Sequence, residues 1–272
     1  MDYQSELTAA IAIAKRAGEA ILKLYSTFTP ILDAPADIST EADRQSQRLI
    51  IEDLQGRFSN DRFCAEEDTG YKSSSSPSRR TWVIDPIDGT RGFAKKNGEF
   101  SVMIGLLDHG LVVLGLVLEP ARHRLCYAVC AGGCWAQDAD VARPVRCRVS
   151  QKAALSEAVL TQSHSKPSRP PAPEVLALGA RQTIETYSAG IKLAQVARGE
   201  ADLYLNTYPE FHDWDICAGH ILVLEAGGKV TGLQGEPVTY GRPGAWQRDG
   251  LLASNGLLHQ PALEALATKR GR

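Results

Sequence analysis

Three short stretches of this chain gather carboxylates beside residues that stiffen or reverse the backbone. They are Ala65-Glu66-Glu67-Asp68, the run WVIDPIDGT from Trp82 to Thr90, and DWDICAG from Asp213 to Gly219. Carboxylates presented this way are hard oxygen ligands, suited to holding divalent cations that activate water or screen a phosphoryl group. In the middle stretch Pro86 fixes φ and Gly89 allows a tight reversal, so Asp85 and Asp88 are expected on one side of a rigid turn. With the Ile87 carbonyl between them, the two aspartates could hold one Mg²⁺ and share a second. The backbone amides of Gly89 and Thr90, followed by a helical turn, could meet an anion.

Each group also has a plain structural explanation. Asp-Pro at a strand end and Asp-Gly in a turn are ordinary turn chemistry. Glu66 taken alone reads as a solvated loop acid. Asp213 and Asp215 fit an N-cap or first-turn position favoured by the helix dipole. Thr40 with Asp43 fits a capping box.

The elements that must position these groups follow from periodicity. Apolar residues from Leu7 to Leu22 recur at helical spacing and predict a first helix over about 4–25. A second helix is expected to start near Thr40, followed by strands over 62–65 and 80–84. The Ser-rich segment 69–79 reads as an exposed loop and, since it follows Glu66, as a lid that closes over substrate. From Glu99 to Gln137 the pattern is an antiparallel meander, and two more strand-like runs follow by residue 161. After the Pro-rich KPSRPPAP, helices are expected over 174–179, 190–198 and 215–226 and near the C-terminal end. Strands are expected over 183–187, 201–205, 228–231 and 250–253. This mixture predicts an α+β or layered α/β fold, organised as an N-terminal half (1–147) and a C-terminal half (148–272) supplying the last acid.

Composition narrows the function. The 272 residues are 43% hydrophobic with a formal net charge of −2, which excludes wholesale disorder and argues against a nucleic-acid polymer as partner. A small anionic substrate needs only local positive charge or a bound cation. The most apolar stretch, Met103 to Leu118, is broken by Asp108 and His109, so no integral membrane segment is expected. The N-terminus does not read as a signal peptide, and a cytoplasmic protein with six reduced thiols is expected. Cys126, Cys130 and Cys134 stand four apart, but without a C-x-x-C or paired His they read as small packing residues rather than as zinc ligands. No covalent nucleophile is evident near the acidic turn, so direct transfer to water is the expected chemistry.

AEED, WVIDPIDGT and DWDICAGHILVLEAGG, in this order and spacing, resemble the Mg²⁺-dependent, lithium-sensitive inositol monophosphatase superfamily. The resemblance covers nearly the whole chain and implies an αβαβα sandwich. Within the superfamily the chain is similar to the bacterial 3′(2′),5′-bisphosphate nucleotidases, through Asp88-Gly-Thr-Arg-Gly-Phe93, Lys96-Asn-Gly-Glu-Phe-Ser101, the Asp108-His-Gly turn, Ile191-Lys-Leu and Ala218-Gly-His220. Such enzymes act on adenosine 3′,5′-bisphosphate, a by-product of sulfur metabolism.

The resemblance implies the following roles. Glu66, Asp85 and the Ile87 carbonyl would bind the first Mg²⁺, and Asp85, Asp88 and Asp215 the second, with two or three ions in all. Thr90 and Glu66 would orient the attacking water, and Asp43 would support Thr90. Ile87, Asp88, Gly89, Thr90, Lys192 and Asp215 would line the substrate, with Arg91 and Glu210 as further candidates. The run SAGIKLA lacks the paired serines often seen before the lysine, and the spacing of Glu210 is unusual. The substrate is expected to be a small phosphorylated metabolite. The alternatives are an inositol phosphate, another small sugar or alcohol phosphate, or a noncatalytic sensor that keeps the fold. Monomer and homodimer are both compatible with the sequence, as is peripheral association with the inner membrane.

Overall fold

The computed structural model describes residues 3–270 except 36, 69–77, 140 and 166–169. Residues 69–77 of the expected lid over 69–79, and residues 166–169 of the Pro-rich stretch, lie outside the described residues. The chain runs α1 (Gln4–Thr27), α2 (Glu41–Arg57), β1 (Arg62–Ala65), β2 (Arg80–Asp88), α3 (Thr90–Ala94), then β3 (Ser101–Asp108), β4 (Leu111–Glu119), β5 (Arg124–Val129), β6 (Gly133–Asp138) and β7 (Val145–Arg146). It continues β8 (Val159–Gln162), α4 (Pro173–Leu178), β9 (Gln182–Glu185), α5 (Ala189–Ala197), β10 (Leu203–Asn206), β11 (Phe211–His212) and α6 (Asp213–Glu225). The last elements are β12 (Lys229–Thr231), β13 (Trp246–Gln247), β14 (Leu251–Ser254) and α7 (His259–Arg270).

Five layers result. Strands β1 to β7 form one sheet in sequence order, and a second sheet has the order β12-β14-β10-β8-β9. Helices α1 and α2 cover one face of the first sheet, α5 and α6 lie between the two sheets, and α4 and α7 close the outer side of the second. This is the layered αβαβα sandwich. Because the first sheet is covered on both faces, β3 is buried at every residue instead of alternating. Among the described residues no helix is long and apolar enough to cross a membrane.

Two local features fix the site. The first is β2, expected to end at Ile84 but continuing to Asp88. Its pairing with β3 slips between Asp85, opposite Met103, and Asp88, opposite Ser101, which is a bulge. Pro86 has no N–H to give to the ladder, so the extra residue falls there. In a regular strand, residues three apart face opposite sides; the bulge brings Asp85 and Asp88 round to the same site.

The second is the seat of α6. Gly105 and Gly115 pair across β3 and β4 directly beneath it. A Cβ at Gly105 would stand 2.7 Å from Cys217 Sγ, and one at Gly115 would stand 2.2 Å from the Ala218 carbonyl oxygen. Only bare backbone lets α6 lie this close to the sheet, which puts its first turn, with Asp215, beside the β2 bulge.

The cysteine spacing of the sequence is not the spatial grouping. Cys130 is exposed, whereas Cys126 and Cys134 are joined by Cys147, whose amide donates to the Cys134 carbonyl (2.8 Å). The β5–β6 hairpin turns Cys130 to its tip, and the approach of the segment after β7 could not be read from sequence.

Candidate active site

The capping box at the start of α2 forms and also faces the site. The Asp43 carboxylate accepts from the Thr40 amide (2.8 Å) through Oδ2, and its Oδ1 accepts from the Thr90 hydroxyl at 3.0 Å. The Ile87 carbonyl lies at the same distance from Thr90 Oγ1, so one hydroxyl is poised between two acceptors. Asp43 is fully buried, and that burial, opposed by its hydrogen bonds, pushes its pKa up to about 6.

Gln47, one turn further along α2, holds the AEED segment. Its side-chain carbonyl accepts from the Glu67 amide (2.8 Å) and its NH₂ donates to the Glu67 carbonyl (2.5 Å). This reciprocal pair fixes the backbone next to Glu66. Glu66 keeps exposed surface, yet its carboxyl faces other acids. Desolvation first, then the charges of Asp215 and Asp43, raise it to about 8, against a hydrogen bond with Asp85.

Asp85, Asp88 and Asp215 converge, with one carboxylate oxygen from each lying within 4.8 Å of the others. Asp85 is 2% exposed and its Oδ1 has no hydrogen-bond partner. Burial and then the charges of Glu66, Asp88 and Asp215 raise its pKa well above the ordinary range. Asp215 caps α6, accepting from the His212 amide (2.5 Å), and burial raises it to about 7. A buried acid with an orphaned oxygen among like charges is costly unless a cation joins it. The all-oxygen donor set fits a hard divalent ion such as Mg²⁺.

Asp88 is tied down differently. Its carboxylate accepts from the Gly190 amide (2.7 Å), the Ala189 amide (3.0 Å), and the Ser101 (3.2 Å) and Ser188 hydroxyls. Ser188 in turn caps α5, accepting from the Ile191 amide at 3.0 Å. The N-cap position of Ser188 could have been read from sequence; its bond to Asp88, 100 residues away, could not.

Lys192 is neither a solvated helix lysine nor a side chain extended into open space. It is 1% exposed, and its ammonium donates to Ser163 Oγ (3.0 Å) and to the carbonyls of Thr186 (3.0 Å) and Tyr187 (3.3 Å). Burial lowers it to about 8, opposed foremost by the charge of Asp88. Gly89 has φ +86°, and a Cβ there would stand 2.6 Å from the Glu99 carbonyl oxygen, so the turn requires glycine. The Arg91 guanidinium lies 5.1 Å over the Tyr187 ring, and its Nε is buried without a partner. Glu210 is exposed and accepts from the Tyr208 hydroxyl (3.0 Å). Asp213 is absorbed by structure, accepting from the Gly241 amide (2.8 Å) and the Gln247 side chain (2.7 Å).

Beside Asp215 stands an aromatic group that sequence reasoning missed. The His212 ring stacks on Trp214 (4.3 Å between centroids, 7° between planes) and lies 4.0 Å from Trp246. All three rings are partly exposed, and the exposed Arg248 guanidinium lies 5.2 Å over Trp246. Trp246 comes from β13, whose pairing with β11 carried no sequence signal.

Comparison with known proteins gives one consistent picture. A family model described as the inositol monophosphatase family matches residues 2–270. The 3′(2′),5′-bisphosphate nucleotidase CysQ of Escherichia coli (strain K12) is 33% identical over 232 residues, covering 84% of this chain and 91% of the relative. Inositol-1-monophosphatase of Bacillus subtilis (strain 168) is 30% identical over 232 residues, covering 85% and 83%. The structure of inositol monophosphatase from Anabaena (Nostoc) superposes with a TM-score of 0.81 at 27% identity, over 98% of this chain and 97% of that one.

Proposed function

The chain belongs to the inositol monophosphatase family and is a phosphatase of that superfamily, and from this and its carboxylate cluster we propose that it is a Mg²⁺-dependent, lithium-sensitive phosphomonoesterase that converts adenosine 3′,5′-bisphosphate to AMP and phosphate. The observation that carries the metal chemistry is the convergence of Asp85, Asp88 and Asp215 with an unpaired, buried oxygen on Asp85. Glu66, Asp85 and the Ile87 carbonyl are assigned to one ion and Asp85, Asp88 and Asp215 to another, with two or three ions in all. When bound, the ions lower the pKa of the attacking water and screen charge on the leaving oxygen.

The chain's own residues do the rest. Thr90, whose hydroxyl sits between Asp43 and the Ile87 carbonyl, orients water together with Glu66. The Gly89 and Thr90 amides face the transferred phosphate. The Lys192 charge favours the ionised form of Asp88 without needing to touch substrate.

A nucleotide is favoured by the ring group at Asp215. Trp214, His212 and Trp246 offer a partly exposed stacking face, with the Arg248 cation beside it. The test is phosphate release from a panel containing adenosine 3′,5′-bisphosphate and inositol 1-phosphate, with and without Mg²⁺. Higher kcat/KM on the nucleotide is expected; preference for the inositol ester would overturn the substrate and leave the metal chemistry standing. Placement in sulfur metabolism, in the cytoplasm, rests on the same substrate reading.

A further inference from the structure

A second cluster lies away from the carboxylates, in the core between β5, β6 and the segment after β7. The sulfurs of Cys126, Cys134 and Cys147 all lie within 4.8 Å of one another, with Cys126 and Cys134 at 3.5 Å. We propose that these three thiols form a binding site for a single soft d¹⁰ cation, with Cu(I) the best match.

The donor set argues the class. Thiolate ligands select soft cations and leave Mg²⁺ and Ca²⁺ unbound, so this site and the carboxylate site do not compete. Zinc in a closed structural site takes four protein ligands. Among the described residues no imidazole or carboxylate completes the cluster. The nearby Asp138 carboxylate is occupied by Arg198, at 3.0 and 2.6 Å. Three sulfurs around one cation is a trigonal shell, which Cu(I) accepts.

The scaffold holds the sulfurs in place. Cys126 pairs with Ala136 and Ala128 with Cys134, so the two cysteines are diagonal neighbours on one face of the β5–β6 hairpin. Cys147 is locked to the same hairpin by its bond to the Cys134 carbonyl. The surroundings are apolar: Met103, Val117, Ala136 and Val149 belong to the same core cluster. Cys147 also lines a cleft of about 430 Å³ together with Arg146, Arg148 and Arg198, which gives an entry path.

The test is anaerobic titration of the reduced full-length protein with Cu(I) against a competing chromogenic chelator, read together with X-ray absorption of the loaded protein. One equivalent bound in an all-sulfur, three-coordinate shell is expected. Cys147→Ser should lose that binding, whereas Cys130→Ser and Asp85→Asn should keep it. The X-ray absorption spectrum is read on wild type, so a poorly folded Cys147→Ser protein does not remove the test. Failure to bind one equivalent, a shell containing nitrogen or oxygen, or unchanged binding in a folded Cys147→Ser protein would each show that the thiols only pack the core.

Discussion

The Asp88 carboxylate accepts a hydrogen bond from the backbone amide of Gly190, 102 residues further along the chain, at 2.7 Å. One acid thus serves both the acidic cluster and the start of α5, with Ala189, Ser188 and Ser101 donating to it as well. Asp88 is therefore both a candidate metal ligand and a structural acceptor. An amide NH₂ would face donors where an oxygen now accepts, so Asp88→Asn should lose activity and also about 1–3 kcal/mol of stability. Urea unfolding of the metal-free variant checks this, and an unchanged midpoint would refute the structural role.

Asp85→Asn should behave differently. Asp85 Oδ1 has no hydrogen-bond partner and faces like charges, so removing its charge relieves repulsion. Turnover should fall about a thousandfold or more while the metal-free variant melts at or above the wild-type temperature. A clearly lower melting temperature would show that Asp85 holds the fold together.

Stability of the metal-free protein should depend on pH in a predictable direction. Glu66 is raised to about 8 from the ordinary 4.5, and Asp215 to about 7 from 3.8, both foremost by burial. Between the ordinary and the raised values the folded chain binds more protons than the unfolded one, so stability falls as pH rises through that window. It is fully present below about pH 4 and lost by about pH 8. Mg²⁺ should flatten the slope by neutralising the same acids. Unfolding midpoints at pH 5 and pH 8, in chelator and in Mg²⁺, test it; a slope unaffected by Mg²⁺ would count against the metal assignment.

Gly115→Ala should pry α6 from the sheet. The added Cβ would meet the Ala218 carbonyl oxygen at 2.2 Å and Ile221 Cγ2 at 2.6 Å. Overpacking of this kind costs about 1–3 kcal/mol, and the shift of Asp215 should raise the Mg²⁺ concentration needed for half-maximal activity. Gly56, with open space around it in α2, is the control: Gly56→Ala should be neutral or stabilising by up to about 1 kcal/mol. Equal effects of the two substitutions would contradict the close seat of α6.

Trp246→Ala tests the stacking face. Loss of one base–aromatic stack is worth about 1–3 kcal/mol, so KM for adenosine 3′,5′-bisphosphate should rise about tenfold or more. Activity on inositol 1-phosphate, which has no flat ring, should be unchanged. A parallel loss on both substrates would make Trp246 a purely structural residue.

Much of this protein follows from local chemistry. The Thr40–Asp43 capping box, the buried meander from β3 to β6 and the restriction at Pro86 are decided within a few residues, because capping, side-chain period and a missing N–H are short-range effects. The carboxylate motifs also carried their own signal. What the chain order could not determine was which distant groups meet. The β2 bulge brings Asp85 and Asp88 to one side, glycines under α6 admit Asp215, and Ser188 and Gly190 reach back to Asp88. Trp246 beside His212, and Cys147 in place of Cys130 beside Cys126 and Cys134, are likewise products of packing. Side-chain convergence across a hundred residues depends on how covered sheets and helices settle against one another, and no local pattern encodes that distance.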